Sequence, residues 1–258
     1  MKYRLFIKNG LEESSLTKEI LSVLSIDPRF EKDEVCPELV LVIGGDGTFL
    51  NAAQTVFPVN KKAKFLCFNA GTIGFYNDFL AEDVKDIPSI VFEGKYPLAE
   101  LDCLRAEADQ KVYYAFNEFN MTGLYQNIDY DVYLDQDYLE HYFGAGLIVS
   151  TPTGSMAYNR SLNGAILDPS LHLMELTEVA GIHSKAHKTI GNPLIVAAER
   201  SFHFVSEANR GGYLIADGFK LQEERVHDLT ITYSKEKLSV YNKHSDYFVS
   251  RIHKTIDL

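Results

Sequence analysis

Positive charge is scarce in this 258-residue chain: 25 Lys and Arg stand against 36 Asp and Glu, a formal charge of −11 and a pI near 5.2. Broad contact with a phosphate backbone or an anionic lipid surface needs clustered cations, whose displaced counterions supply most of that binding. The balance therefore counts against nucleic acid and against membrane as partners. It leaves nucleotides open, because a single phosphate needs only local donors such as backbone N–H groups, a bound metal or one or two cations. Cysteine is also sparse. Cys36, Cys67 and Cys103 lie far apart with no C-x-x-C spacing and an odd count, so neither a disulfide framework nor a zinc site is expected, and all three read as small core hydrophobes. No apolar run approaches the ~18 residues that a membrane span requires, and Met1–Lys8 alternates like a strand instead of leading into a long apolar stretch. Both observations lead to the expectation of a reducing cytosol. Three nucleotide signatures are missing as well: a G-x-G-x-x-G after the first strand, a Walker A lysine motif, and the protein-kinase set. Their absence argues against a Rossmann dehydrogenase and leaves any phosphoryl donor to be held by other means.

What the chain does contain is, in its first hundred residues, an alternation of short apolar runs with helical patterns. Tyr3–Lys8 reads as a strand, and Ser14–Leu24 as a helix with Leu16, Ile20, Val23 and Leu24 on one face. Leu39–Ile43 is apolar without alternation, as expected of a strand covered on both faces in a parallel sheet, and Phe65–Phe68 reads as its neighbour. Gly-rich turns follow both, Gly44-Gly45-Asp46-Gly47 and Gly71-Thr72-Ile73-Gly74, at the strand ends where open α/β sheets place ligands. From about Pro97 strand patterns dominate: Val112–Phe116, Tyr130–Leu134, Leu147–Ser150, Leu194–Val196, Phe202–Val205, Tyr213–Ile215, Leu229–Tyr233 and Leu238–Tyr241. A helix is expected over Ser155–Leu167, continued through Leu171–Val179. The fold expected is an α/β first domain over 1–97, a mainly β second domain over 98–243, and a segment 244–258 returning to the first.

Three segments carry chemistry. Gly44-Gly45-Asp46-Gly47-Thr48 lies between a buried strand and the helix expected over Phe49–Val56. Its glycines let backbone approach a phosphate, and Asp46 beside such a site implies a cation or a proton to be accepted. The competing reading is a tight turn with Asp46 as helix N-cap. Asn117-Glu118 ends an apolar run and must find polar partners, in a ligand or in a strand-end bulge. Ser150-Thr151-Pro152-Thr153-Gly154-Ser155-Met156-Ala157-Tyr158-Asn159 is either a hydroxyl-rich turn that reads a base and its sugar, with Tyr158 packed on a ring, or a Ser/Thr-capped helix start.

In that order and separation, these three segments resemble the ATP-NAD kinases, especially the short bacterial type. Further similar stretches are Gly71-Thr72-Ile73-Gly74-Phe75, Leu176-Thr177-Glu178, Thr189-Ile190-Gly191-Asn192-Pro193-Leu194 and Asp217-Gly218. The resemblance runs over nearly the whole chain. It implies a Rossmann-like first domain, a β-rich second domain, and transfer of the terminal phosphoryl group of ATP to the 2′-hydroxyl of the adenosine ribose of NAD. It implies Asp46 as general base, Gly44, Gly45, Gly47 and Thr48 as the phosphate loop, and magnesium or another divalent cation entering with ATP, or polyphosphate as donor in its place. It implies further that Asp46 and Gly47 lie against the dinucleotide, that Asn117 and Glu118 hold its adenosine part, and that Thr153, Ala157, Tyr158, Asn159 and Ser161 hold its ring ends. Ala180 would reach the dinucleotide of a neighbouring subunit in a homodimer or homotetramer.

The chain departs from the family pattern at two places. Where relatives show Arg-x-Asp-Gly it has Phe143-Gly144-Ala145-Gly146, losing a cation and a carboxylate together, and His187 stands where many relatives carry Arg or Tyr at the subunit contact. Two other functions share part of the pattern. A lipid kinase would share the Asp46 turn but needs an apolar, membrane-facing surface, and a non-catalytic NAD(P)-binding relative would not need a base at Asp46.

Overall fold

The computed structural model describes residues 1–70, 74–185, 187–207, 209–222, 224–243, 249 and 252. The chain divides into two compact units, one formed by Met1–Leu101 with the described residues from Lys237 onward, the other by Asp102–Glu236. The turn residues Gly71–Ile73 and nearly all of 244–258 lie outside the described residues, and with them the expected return of the C-terminal segment.

The first unit is α/β. Strands β1 (Lys2–Ile7), β2 (Glu31–Lys32), β3 (Leu39–Gly44), β4 (Lys64–Asn69) and β5 (Leu98–Leu101) alternate with helices α1 (Ser15–Ile26), α2 (Asp46–Val56) and α3 (Ile87–Glu93). All six residues of β3 are buried, because parallel neighbours β1 and β4 flank it and apolar side chains cover both faces. α1 starts where the Ser14 hydroxyl accepts the N–H of Thr17 at 3.2 Å, and its Leu16, Ile20 and Leu24 join Leu39, Leu41, Ile43, Leu66 and Phe68 in one core.

The second unit is almost entirely antiparallel β: β6 (Leu104–Ala108), β7 (Lys111–Ala115), β8 (Glu118–Thr122), β9 (Ile128–Leu134), β10 (Asp137–Ser150), the single-turn α4 (Tyr158–Ser161), β11 (Leu173–Gly181), β12 (Leu194–Ala197), β13 (Ser201–Val205), β14 (Tyr213–Ala216), β15 (Phe219–Lys220) and β16 (Asp228–Tyr233). The last strand, β17 (Leu238–Tyr241), was grouped by its pattern with this half. It pairs instead with β4 and β5, completing the first unit's sheet in the order β2-β1-β3-β4-β17-β5.

Two further expectations are corrected. Leu171–Val179 does not continue a helix: β11 pairs antiparallel with β10 from Gly144↔Gly181 to Ser150↔Glu175. The Ser155–Leu167 helix reduces to a turn of 3-10 helix over Gly154–Met156 and the four residues of α4, stopped at Asn163, whose φ of 62° lies in the left-handed region, and Gly164. Glu175 and Thr177 disguised β11, since both are buried polar residues whose partners lie far along the chain. Cys67 and Cys103 are buried, as expected, but Cys36 is exposed, in a turn where Asp33 accepts its N–H.

The edges of β10 place the site. Gly144 pairs with Ile128 and Gly181, and Gly146 with Thr122 and Val179. Because β11 runs without a break along one edge, β8 and β9 must lie end to end along the other. They are one strand interrupted by the excursion Gly123–Asn127, which stands off the sheet and walls two clefts.

Candidate functional site

In the first unit, β3 ends at Gly44 and α2 begins at Asp46, with Gly45 as the capping position and no side-chain cap. Asp46 is therefore not an N-cap. Its carboxylate turns to the neighbouring loop, accepting the N–H of Phe75 at 2.9 Å on Oδ2 and that of Tyr76 at 3.0 Å on Oδ1. Asn77 ties the same loop to the Gly44 carbonyl at 3.3 Å, and the rings of Tyr76 and Phe49 stack at 4.3 Å. Two glycines lie where a Cβ would crowd a neighbouring side chain. A Cβ at Gly44 would lie 2.4 Å from the Thr48 hydroxyl, and one at Gly74 would lie 3.0 Å from Asp46 Oδ1. Gly45 and Gly47, by contrast, have nothing within 4 Å of a built Cβ, so the head of α2 is open above an oriented carboxylate.

In the second unit Asp217 organises the Asn117-Glu118 strand end. Asp217 and Gly218 have φ of 50° and 85° and form the two-residue turn between β14 and β15. The Asp217 carboxylate accepts the N–H groups of Phe116 (2.9 Å), Asn117 (2.7 Å) and Glu118 (3.2 Å). Glu118 is buried at 7% exposure and its Oε2 has no partner. Burial, reinforced by the charge of Asp217, pushes its carboxyl up to about 8.

The Ser-Thr-Pro-Thr-Gly-Ser turn packs directly on this strand end. Thr151 donates its hydroxyl to the Phe116 carbonyl at 2.7 Å, and a Cβ at Gly154 would fall 1.9 Å from the Asn117 carbonyl oxygen, so only glycine fits. Thr151 also accepts the N–H of Gly154, while Ser155 donates to the Pro152 carbonyl and accepts from Leu167. These two hydroxyls therefore build the turn and are not turned outward. Asn159 behaves alike: it is fully buried, donating to Glu175 at 2.8 Å and accepting from Thr177 at 2.6 Å. Of the remaining residues singled out in this turn, Thr153 is buried, Ala157 half-buried, and Tyr158 and Ser161 exposed. Tyr158 lines a cleft of about 270 Å³ with Asn120, Thr122, Ala145, Gly146 and Val179. Ala180 sits near the end of β11 with φ of 48°. The loop after it is held where Ile190 and Gly191 donate N–H groups to Glu140 and Glu178, both at 2.6 Å. Phe143, which stands in place of the Arg of the family pattern, stacks on His187 at 4.7 Å, and His187 on His141 at 5.1 Å.

Sequence reasoning gave no role to the residues that hold the others: Asp217 and Thr177 entered only within family-like stretches, and Glu175 and Asn77 not at all. Only Asp217 had a local signal, the Asp-Gly turn dipeptide. Among the described residues no group of three His, Cys, Asp or Glu is arranged to hold a metal, and no helix is long and apolar enough to cross a membrane.

Comparison with known proteins agrees over both units. Residues 15–96 match the ATP-NAD kinase N-terminal domain and residues 118–242 the ATP-NAD kinase C-terminal domain. The NAD kinase of Lacticaseibacillus paracasei is 30% identical over 250 residues, spanning 95% of this chain and 94% of that protein. The NAD kinase of Leuconostoc mesenteroides is 31% identical over 243 residues, 88% of this chain and 92% of its own length. Two crystal structures share the fold across 100% of this chain: yeast NADH kinase complexed with NADH (TM-score 0.83, 17% identity, 88% of that chain) and an NAD kinase from Archaeoglobus fulgidus in complex with ATP (TM-score 0.78, 19% identity, 100% of that chain). With both of its halves matched in order and relatives at this identity along nearly its full length, the chain belongs to the ATP-NAD kinase family.

Proposed function

We propose that this NAD kinase uses Asp46 as the general base that takes the proton from the 2′-hydroxyl of the adenosine ribose while that oxygen attacks the terminal phosphorus of ATP. The P–O bond to ADP breaks, the proton rests on the Asp46 carboxylate, and NADP and ADP leave. The observation that carries this reading is the carboxylate itself, oriented by the N–H groups of Phe75 and Tyr76 at the head of α2 beside two glycines with open space above them. Phosphoryl transfer needs little covalent help from the protein, so positioning and charge stabilisation dominate. Gly44, Gly45, Gly47 and Thr48 supply the backbone approach to the phosphates, and ATP enters as its complex with magnesium or another divalent cation.

On the acceptor side, Asn117 and Glu118 hold the adenosine part of NAD. Thr153, Ala157, Tyr158 and Ser161 contact its rings, and Asn159 acts by fixing the turn through Glu175 and Thr177. Ala180, exposed near the end of β11, approaches the dinucleotide of a neighbouring copy in a cytosolic homodimer or homotetramer. Polyphosphate is a second donor to be tested beside ATP. Retention of Asp46 speaks against a purely NAD(P)-binding relative.

The test is direct: purified protein with ATP, magnesium and NAD, read by a dehydrogenase specific for NADP. NADP formation that depends on Asp46 is expected. Turnover by Asp46→Asn within a few-fold of wild type would remove Asp46 from the role of base.

A further inference from the structure

Three buried polar atoms without hydrogen-bond partners lie on one face of the β8–β10 pair: Glu118 Oε2, Ser150 Oγ and Asn120 Oδ1. Ser150 is directly opposite Glu118, and Asn120 follows Glu118 by two residues on β8, so all three share that face. The other face of β8 presents Phe119 and Met121 to the core. Folded proteins leave few buried polar atoms unpaired, and three on two adjacent strands mark a surface whose partners come from outside the chain.

Asn120 stands where this row opens to solvent. It lines the cleft of about 270 Å³ with Thr122, Gly146 and the exposed Tyr158, under the wall formed by Leu124–Asn127. Gly146 keeps that cleft open beside it, since a Cβ there would lie 3.5 Å from Asn120 Oδ1 and 2.8 Å from the Met121 carbonyl. Ala145 brings no polar side chain to the same cleft. The side-chain amide turns readily about its last torsion, so it can present its oxygen or its NH₂ group.

We infer that Asn120 is a further binding residue for the acceptor substrate, its amide pairing with the edge of a planar ring that carries an NH₂ group next to an acceptor atom, while Tyr158 covers the ring. An amide matches such an edge with two parallel hydrogen bonds. The aminopurine and the carboxamide-bearing pyridine of a dinucleotide both offer one. The inference rests on the assignment of this unit to NAD.

Asn120→Leu tests it, because the variant keeps the size and removes both polar ends. The KM for NAD rises about tenfold or more, while kcat stays within about threefold, the KM for ATP is unchanged, and Tm is unchanged or higher because an unpaired polar atom has been removed. Two analogues separate the rings: nicotinic acid adenine dinucleotide lacks the carboxamide NH₂, and nicotinamide hypoxanthine dinucleotide lacks the purine NH₂. Wild type discriminates against one of them, and Asn120→Leu loses that discrimination, which names the ring. An unchanged KM for NAD overturns the inference, as does discrimination that survives in the variant or is absent from wild type. A lower Tm with both KM values raised together would show a structural role and overturn it too. Calorimetric titration with NAD distinguishes this failure from a wider one: wild type that neither binds nor phosphorylates NAD would remove the assignment of the whole unit.

Discussion

Asp46 and Glu118 are both carboxylic acids, and their surroundings differ. Asp46 is half-buried with an N–H donor on each oxygen, an arrangement that fixes the orientation of its carboxylate. Asp46→Asn should therefore lose about 10²–10⁴-fold in kcat for want of a proton acceptor. It should also lose about 1 kcal/mol of stability, since its NH₂ group meets a backbone N–H instead of accepting it. Steady-state kinetics and urea unfolding read the two effects separately. Glu118 is desolvated, and its carboxyl is pushed from 4.5 up to about 8. Below pH 4.5 both folded and unfolded chains keep this proton. Between these values the folded chain holds it more tightly, so stability contributed by the group declines as pH rises and is fully lost above the folded-state value. Glu118→Gln should show a shallower fall of Tm across that window than wild type, together with a larger rise in the KM for NAD than in that for ATP. Superimposable pH profiles of the two proteins would refute the assignment.

At the scale of elements, α4, which follows the Ser-Thr-Pro-Thr-Gly-Ser turn, is held by Glu175 and Thr177 of β11 through Asn159. Asn159→Leu removes a donor from a fully buried carboxylate and an acceptor from Thr177, so it should cost about 1–3 kcal/mol for each group left unpaired, measurable as a lower urea midpoint. A midpoint matching wild type would mean that the pairing contributes nothing. The excursion Gly123–Asn127 and the ring stack of Phe143 on His187 set a second test. Ala145→Asp alone should improve NAD binding little or harm it, since no Lys or Arg is among the described residues lining its cleft. Combined with Phe143→Arg it should lower the KM for NAD by about tenfold, with a coupling energy of at least ~1 kcal/mol. The double variant gives up the stack with His187, worth ~0.5–1.5 kcal/mol, so its Tm should fall as its affinity rises. Strict additivity in NAD titrations would show the two positions to be independent.

For the molecule as a whole, binding and chemistry should separate in thermal shifts. A ligand that binds only the folded chain stabilises it by about 2.7 kcal/mol at a hundred times its dissociation constant. NAD should raise the Tm of Asp46→Asn as much as that of wild type, but should raise that of Glu118→Gln less at equal concentration. Loss of the shift in Asp46→Asn would make Asp46 a binding group first. The net charge of −11 implies no long-range attraction for an anionic substrate.

Local pattern alone determined a good deal. Continuous apolar runs identified β3 and β4, because strands buried on both faces need no alternation, and the Gly-Gly-Asp-Gly turn located the head of α2 at a parallel strand end. The order of three motifs was enough for family membership. Tertiary structure decided the rest, because a strand, like a buried polar residue, is legible only with its partner. Glu175 and Thr177 fell within an expected helix until their bonds to Asn159, 16 and 18 residues away in sequence, were seen. β17 read as one more strand of the second half until register set it between β4 and β5. Asn120 had no distinguishing signal in the sequence, since an unpaired amide becomes evident only when every nearby residue that could have bonded to it is seen to bond elsewhere or to face away.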